Sequence, residues 1–511
     1  MKKITYIIAL GATIFLGACN KQLNQLPVSS VQTSNFYTNT NDFTQAVNGV
    51  YNKLRVYPDE VLWMGEMRSD NISATSDGNR DWQGINNFSP NLTTTAFIVS
   101  GWDDNFNGVY NANTVLDALS AKGTNVPDTT LRRRFGAECR FLRAFYYFQL
   151  LKLYGKLPIV DHVMSSTELA SVQRSSVSDV YNFIITDLQY AMTYLPASYT
   201  ASSDLGRPTK YAAEGILGLV YMTRSGPTYT GTDGPTLNSG EYNLALAAFN
   251  DIINSGQYSF LASYPSIFSY TNEDNKEVIF DVQFMTTSNG ADYPSMLVPP
   301  AYWTGLGYGT YGNGYGTCAF NVTQNLKASY RASAGTGKTD LRDTSNIQRG
   351  FALSTSTPTV LDTTRPFIKK YINFALRGTT YTDWPINFIV LRYTDVLMMK
   401  AECILHGATG SQSDVDAIVN QVRARANVPA MTNVTLAQLM EERRREFLGE
   451  GIRWNDLVRE GMAVTTMNNW IASDTLSATI NQVTPNYVIY PVPQAEILAQ
   501  PGLYVQNAGY Y

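Results

Sequence analysis

The sequence predicts a mainly α-helical protein: a scaffold of stacked helix pairs carrying an irregular insert rich in loops and short strands. Three observations predict it. Apolar residues recur every three or four positions through a series of long segments, the mark of helices with one buried face. Four of those segments form two pairs of alike style, as in tetratricopeptide-type repeats, though their spacing is irregular. Residues 262–390 lose the helical period and fill with Gly, Tyr, Thr and Pro.

The N-terminus comes first in the chain. Lys2 and Lys3 precede the apolar run Ile4 to Phe15, which has the length of a secretory leader and is too short for an ordinary transmembrane helix. Leu16-Gly17-Ala18-Cys19 then reads as a bacterial lipobox. Cleavage there makes Cys19 the lipid-bearing first residue, and two or more acyl chains hold a protein stably on a membrane. A plain secretory leader with a chance cysteine is the competing reading. The polar, proline-punctuated stretch after Cys19 reads as a tether. The expected division is a signal peptide over 1–18, a lipid-anchored tether over 19–30, an N-terminal helical region over 31–261, and a C-terminal region over 262–511 that includes the insert. All of it is expected to form one body.

The helices follow in order. In 134–160, Phe135, Cys139, Leu142, Tyr146, Leu150 and Leu153 share one stripe; Gly155 ends the helix and Pro158 prevents its resumption. A second helix runs from Val180 to Leu195, before Pro196. Segments 210–226 and 241–260 are alanine-rich and end at glycine, and they read as a helical hairpin. A similar pair covers 393–407 and 413–429. Thr435 with Gln438 is a capping box for the next helix. That helix carries the run EERRRE, either a solvated face with Glu441 and Arg445 paired, or arginines tying helices together through bidentate contacts. Within the insert, EVIFDVQF (277–284) reads as a strand.

Composition excludes several function classes. The net charge of −4 becomes −6 once Lys2 and Lys3 leave with the signal peptide, and no basic run suggests nucleic acid. Cys139, Cys318 and Cys403 show no CxxC spacing, and Cys139 and Cys403 lie on apolar helical faces. His162 and His406 are the only histidines, so a zinc site or a Ser-His-Asp triad would have to use one of them; neither stands in such a motif. ASAGTGKTD (332–340) nearly spells a phosphate-binding loop, but Ala332 stands where the first glycine belongs and no strand precedes it. Nothing in the spacing assigns a cofactor or metal, and scattered aspartates do not define a calcium site.

Thirty-three tyrosines and seven tryptophans are a high aromatic load. Flat rings give a binding surface large area at low entropic cost. Two stretches stand out. NRDWQGINN (79–87) sets Trp82 among Asn79, Arg80, Asp81, Asn86 and Asn87, in what reads as a loop between helices. YWTGLGYGTYGNGYGTCAF (302–320) holds six glycines and no charge, so it reads as loop or loosely paired strand, with Tyr302, Trp303, Tyr308, Tyr311 and Tyr315 as candidate contacts. Rings of this kind suit the apolar C–H face of a sugar, and Asn, Asp and Arg suit its hydroxyls. The bland alternative is rings packed against backbone inside the fold.

Five segments carry a resemblance. RFLRAFYYFQLLKLYGKLPIV resembles the arginine-alanine-tyrosine helix of the SusD/RagB family, the starch-utilisation-type outer-membrane lipoproteins. RYTDVLMMKAECIL, EERRREFLGEGIRWNDLVREG, GWDDNFNGVYNANTVLDAL and YVIYPVPQAEILAQPGLYVQNAGY are similar to four further blocks of that family. Together they span nearly the whole chain. Asn20-Lys21-Gln22 departs from the family, whose members often carry acids soon after the lipid cysteine. The resemblance implies four tetratricopeptide-like helix pairs and a surface-exposed, non-enzymatic protein lipid-anchored at the outer membrane. Such a protein captures oligosaccharides for a SusC-like TonB-dependent transporter. It also implies that the region around Trp82 and the variable insert contact the ligand. A peptide-binding lid of the same kind of transporter is the alternative. A glycoside hydrolase, which would need two carboxyls about 5–10 Å apart, is the less favoured one.

Overall fold

The stripe read over 134–154 becomes the central helix of the molecule. In the computed structural model, which describes residues 36–74, 81–286, 289–307, 320–353, 355, 360–378, 380, 382–474, 480–499 and 501–511, nine helices build the scaffold. They are α1 (Thr40–Tyr51), α2 (Ala96–Lys122), α3 (Thr129–Tyr154), α4 (Val177–Tyr194), α5 (Lys210–Ser225), α6 (Tyr242–Asn254), α7 (Tyr393–Leu405), α8 (Gln412–Arg425) and α9 (Leu436–Glu446). From α2 to α8 each helix packs on the next in chain order. That is how repeat hairpins bury faces that a lone pair leaves open. Cys19 and the segments expected to be leader and tether lie outside the described residues.

Caps set the boundaries. Asp128 accepts from the backbone N–H of Thr130 and Leu131 to start α3. Gly155 ends it at φ +71°, where a side chain would collide with the Asp233 carbonyl. Thr435 and Gln438 close the expected capping box of α9. Helix α3 is buried beyond its stripe: Phe141, Phe145, Tyr147 and Phe148 are inside as well. A helix apolar all round belongs in a core, and here α1, α2 and α4 all pack on it. Cys139 and Cys403 are buried free thiols. Among the described residues no helix is long and apolar enough to cross a membrane.

The insert leaves after α6 and returns before α7. Short antiparallel pairs hold it: β1 (Ile72–Ala74) with β3 (Phe320–Val322), and β2 (Val278–Val282) with β4 (Phe388–Arg392). The second pair contains the strand expected over 277–284 and brings the two ends of the insert together.

The EERRRE run is not a solvated face. Glu442, Arg443, Arg444, Arg445 and Glu446 are all buried. The expected Glu441–Arg445 pair gives way to other partners: Glu441 faces Arg444 and Arg453, and Arg445 binds Glu442. Glu446 accepts from Arg425 at 2.6 Å, Arg392 at 3.1 Å and Arg342 at 3.2 Å. Glu442 takes Arg423 at 2.6 Å and Arg342 at 2.7 Å. Each carboxylate therefore joins α9 to α8 and to the insert. Buried charges persist only when paired and hydrogen-bonded in this way. The near-miss phosphate loop follows a helix, Gln324–Ala334, and not a strand, so it has no phosphate-binding context.

Candidate functional site

The site grows from a helical rod over 52–66 that ends in a single π turn, Leu62–Glu66. Such turns are rare and frequent at functional sites. This one sets Trp63 into a ring cluster. Phe97 stacks on it at 4.6 Å and 30°, Trp82 at 5.6 Å and 19°, and Phe320 tilts against it at 5.1 Å. Distant segments hold the turn. Tyr490 Oη donates to the Met64 carbonyl at 2.8 Å, the Gly451 N–H reaches Glu66 at 3.2 Å, and Gly65 abuts the Gly451 carbonyl too closely for any side chain.

Two open depressions flank the rod and share Val56 and Asp59. The smaller, about 280 Å³, is walled by Trp63, Phe97, Glu60 and Asp104. The larger, about 920 Å³, lies between Arg55, Asp59, Phe284, Asp292, Arg377 and Asp383. Next to its wall of Gly290, Asp292 and Asp383 runs a two-way backbone bridge, Ala291 with Trp384. Gly290 makes that bridge possible, because a Cβ there would strike the Asp383 backbone.

Two carboxyls of this groove, Asp59 and Glu60, are shifted toward their protonated forms. Burial raises the Asp59 pKa well above the ordinary range, and the carboxylate of Asp292 beside it raises it further. Burial pushes Glu60 up to about 8, although an amide N–H from Asn105 favours its charged form. A protonated carboxyl both donates and accepts, as a sugar hydroxyl does. Arg55 and Arg377 stand among the acids, so the groove has no single dominant sign of charge.

Trp82 is not in a loop: it lies in a short helix, Asp81–Asn86, and is 5% exposed behind Trp63. Asn86 is buried and structural; its amide bridges Met67 and Ile72 carbonyls and the Ala74 N–H, fixing β1. Asn79 and Arg80 lie outside the described residues, as does the Asp81 side chain. The glycine-tyrosine stretch opens helical, in Pro300–Gly305. Trp303 is fully buried between Phe374 at 5.5 Å and Trp384 at 5.8 Å, and half-buried Tyr302 packs edge-on against it. Trp82 and Trp303 are thus buried behind other rings, Trp82 behind Trp63, which is itself only 8% exposed, and Trp303 in the core of the insert. Tyr308, Tyr311 and Tyr315 lie outside the described residues.

Sequence reasoning missed Trp63, Phe97, Asp59, Glu60 and Arg377. The one local signal was YPDEVLW (57–63), which sets two acids and a tryptophan within one short helical span. The histidines stand apart: His162 is exposed and pairs with Asp161, while His406 caps α7, stacks on Tyr242 and bonds Glu460 at 2.8 Å. Glu402, His406 and Glu460 lie close enough to hold a metal, but the Arg459 guanidinium already pairs with both glutamates.

A stacked-helix scaffold that presents an aromatic and carboxyl-lined groove defines a ligand-binding helical-repeat protein. The chain belongs to the SusD/RagB family. Residues 352–510 match the SusD family profile, and residues 23–222 match one described as starch-binding, associating with the outer membrane. A SusD-like protein of Bacteroides ovatus is 25% identical over 90% of this chain and 82% of its own. A solved structure described as a laminarin-binding SusD-like protein is 25% identical, covering 93% of this chain and all of that one, with a TM-score of 0.76. Surface glycan-binding protein A from Bacteroides thetaiotaomicron, solved with laminarihexaose, shares the fold at 23% identity, TM-score 0.76, covering 93% of this chain and all of that one.

Proposed function

We propose that this protein captures neutral oligosaccharides in the groove along Asp59, Glu60 and Trp63 and passes them, uncleaved, to a SusC-like TonB-dependent transporter. In this reading lipid on Cys19 holds the protein at the outer face of the outer membrane. The observation that carries the reading is the stacked Phe97–Trp63 wall beside carboxyls that retain their protons. The rings take the C–H faces of a sugar, and the acids take its hydroxyls. The mixed charge of the groove favours a neutral, polyhydroxylated ligand over an ionic one. The family relationship and the laminarin named for a relative of the same fold support the same class of ligand.

The close approach of two acids supports capture over cleavage. Asp292 lies within hydrogen-bonding reach of Asp59. A hydrolase keeps its two carboxyls about 5–10 Å apart, with the scissile bond between them. Electrophoresis through gels containing laminarin or starch tests the proposal. The wild type is retarded by at least one polysaccharide and Trp63→Ala is not. Equal retardation of the two proteins overturns the site.

A further inference from the structure

The groove does not stop at the larger depression. Arg55 and Phe284 also wall a second cavity of about 530 Å³. That cavity shares Leu205, Gly206, Arg207 and Asp281 with a third, of about 420 Å³. The depressions therefore lie in series, each sharing lining residues with the next, from Trp63 past β2 to the segment after α4.

The second cavity has the makings of a sugar site. Asn52 and Asn289 are exposed on its walls and supply amides. Tyr51 lines it as well, with its hydroxyl already committed to Glu138. Asp281 is buried at the floor, where Gln283 and Asn387 donate to it at 3.2 Å and 3.1 Å. Two large apolar side chains stand open on the rim, Leu205 at 52% and Met285 at 64% exposure. Apolar rim, amide walls and a carboxyl floor together match the amphipathic surface of a saccharide.

We propose that this second cavity is a further carbohydrate subsite, so that the protein holds an extended glycan chain lying along these depressions and not a single terminal unit. The inference rests on the capture reading and adds the length of ligand that the site selects.

Titration calorimetry with laminari- and malto-oligosaccharides, from disaccharide to hexasaccharide, tests it. One additional ring-and-hydroxyl contact is worth about tenfold in affinity, so the wild type gains about that much with length. The Asn52→Ala/Asn289→Ala double variant and the separate Leu205→Glu variant keep the wild-type affinity for the shortest ligand and lose the gain. Both change exposed side chains, and an unchanged melting temperature verifies their folding. Two results overturn the subsite alone: a wild type with no length dependence, or variants that hold the hexasaccharide as tightly as the wild type. Binding of no oligosaccharide by the wild type overturns the capture reading, and the subsite with it.

Discussion

Arg453 grips Asp70 with both arms of its guanidinium, Nε to Oδ1 at 2.9 Å and Nη2 to Oδ2 at 3.0 Å, across 383 positions of sequence. Arg444 from α9 joins the same carboxylate at 3.1 Å. The pair sits directly before β1, and Thr323, which follows β3, donates its hydroxyl to the Asp70 carbonyl at 2.8 Å. The buried charges of the C-terminal block thus pin the strand pair that carries Phe320 to Trp63.

Arg453→Ala leaves Asp70 in the interior with half its counter-charge. Breaking a buried pair from one side costs about 3–5 kcal/mol. Denaturant titration is expected to show a loss of that size, with Arg453→Lys intermediate because it keeps charge and loses the fork.

Stability is expected to depend on pH in two opposed windows. Burial pushes Asp70 and Glu446 up, but the surrounding arginines outweigh it and hold each at about 2, against ordinary values of 3.8 and 4.5. Their contribution is present above those ordinary values and is lost as pH falls through 2. Burial raises Glu60 to about 8, and burial with Asp274 nearby raises Asp281 to about 7. Their contribution is full below 4.5 and 3.8 and is lost as pH rises through 8 and 7. The urea midpoint is therefore highest at about pH 4 and falls on both sides, as pH drops toward 2 and as it rises toward 8.

Three tryptophans separate binding from folding. Trp63→Ala removes the ring on the groove and abolishes polysaccharide retardation even in the folded fraction; because Trp63 is only 8% exposed, it also costs about 3–5 kcal/mol of stability. Trp82→Ala weakens retardation indirectly, because Trp63 loses the ring it leans on. Trp303→Ala costs about 3–5 kcal/mol of stability through a core cavity and leaves retardation intact in whatever fraction folds. Gel retardation paired with thermal denaturation of each variant distinguishes these outcomes.

Gly290→Ala forces a methyl into the Asp383 backbone and pries open the wall of the larger depression. Overpacking of this kind costs about 1–3 kcal/mol. Affinity for an oligosaccharide is expected to fall with it, as calorimetry would show.

The scaffold was legible because helices announce themselves locally. The stripe from Phe135 to Leu153, the glycine at 155 and the Thr435–Gln438 box each act within a few residues, and each is found where the sequence puts it. The buried arginine network was legible only as one of two readings, since EERRRE looks the same on a solvated face. The Trp63–Phe97 wall was not legible. Whether a ring meets solvent depends on what covers it. Trp303, in a glycine-rich stretch, is enclosed by Phe374 and Trp384 from about 70–80 positions away. Trp63, in an unremarked apolar run, keeps an edge on the groove because a π turn held by Gly451 and Tyr490 sets it there.

A crystal structure of the protein with laminarihexaose, or with maltohexaose if starch is the polysaccharide that retards it, tests the central claim most directly. A sugar ring is expected against Trp63 and Phe97, with hydroxyls bonded to Asp59 or Glu60. An oligosaccharide bound elsewhere, with the Trp63 groove empty, would contradict it.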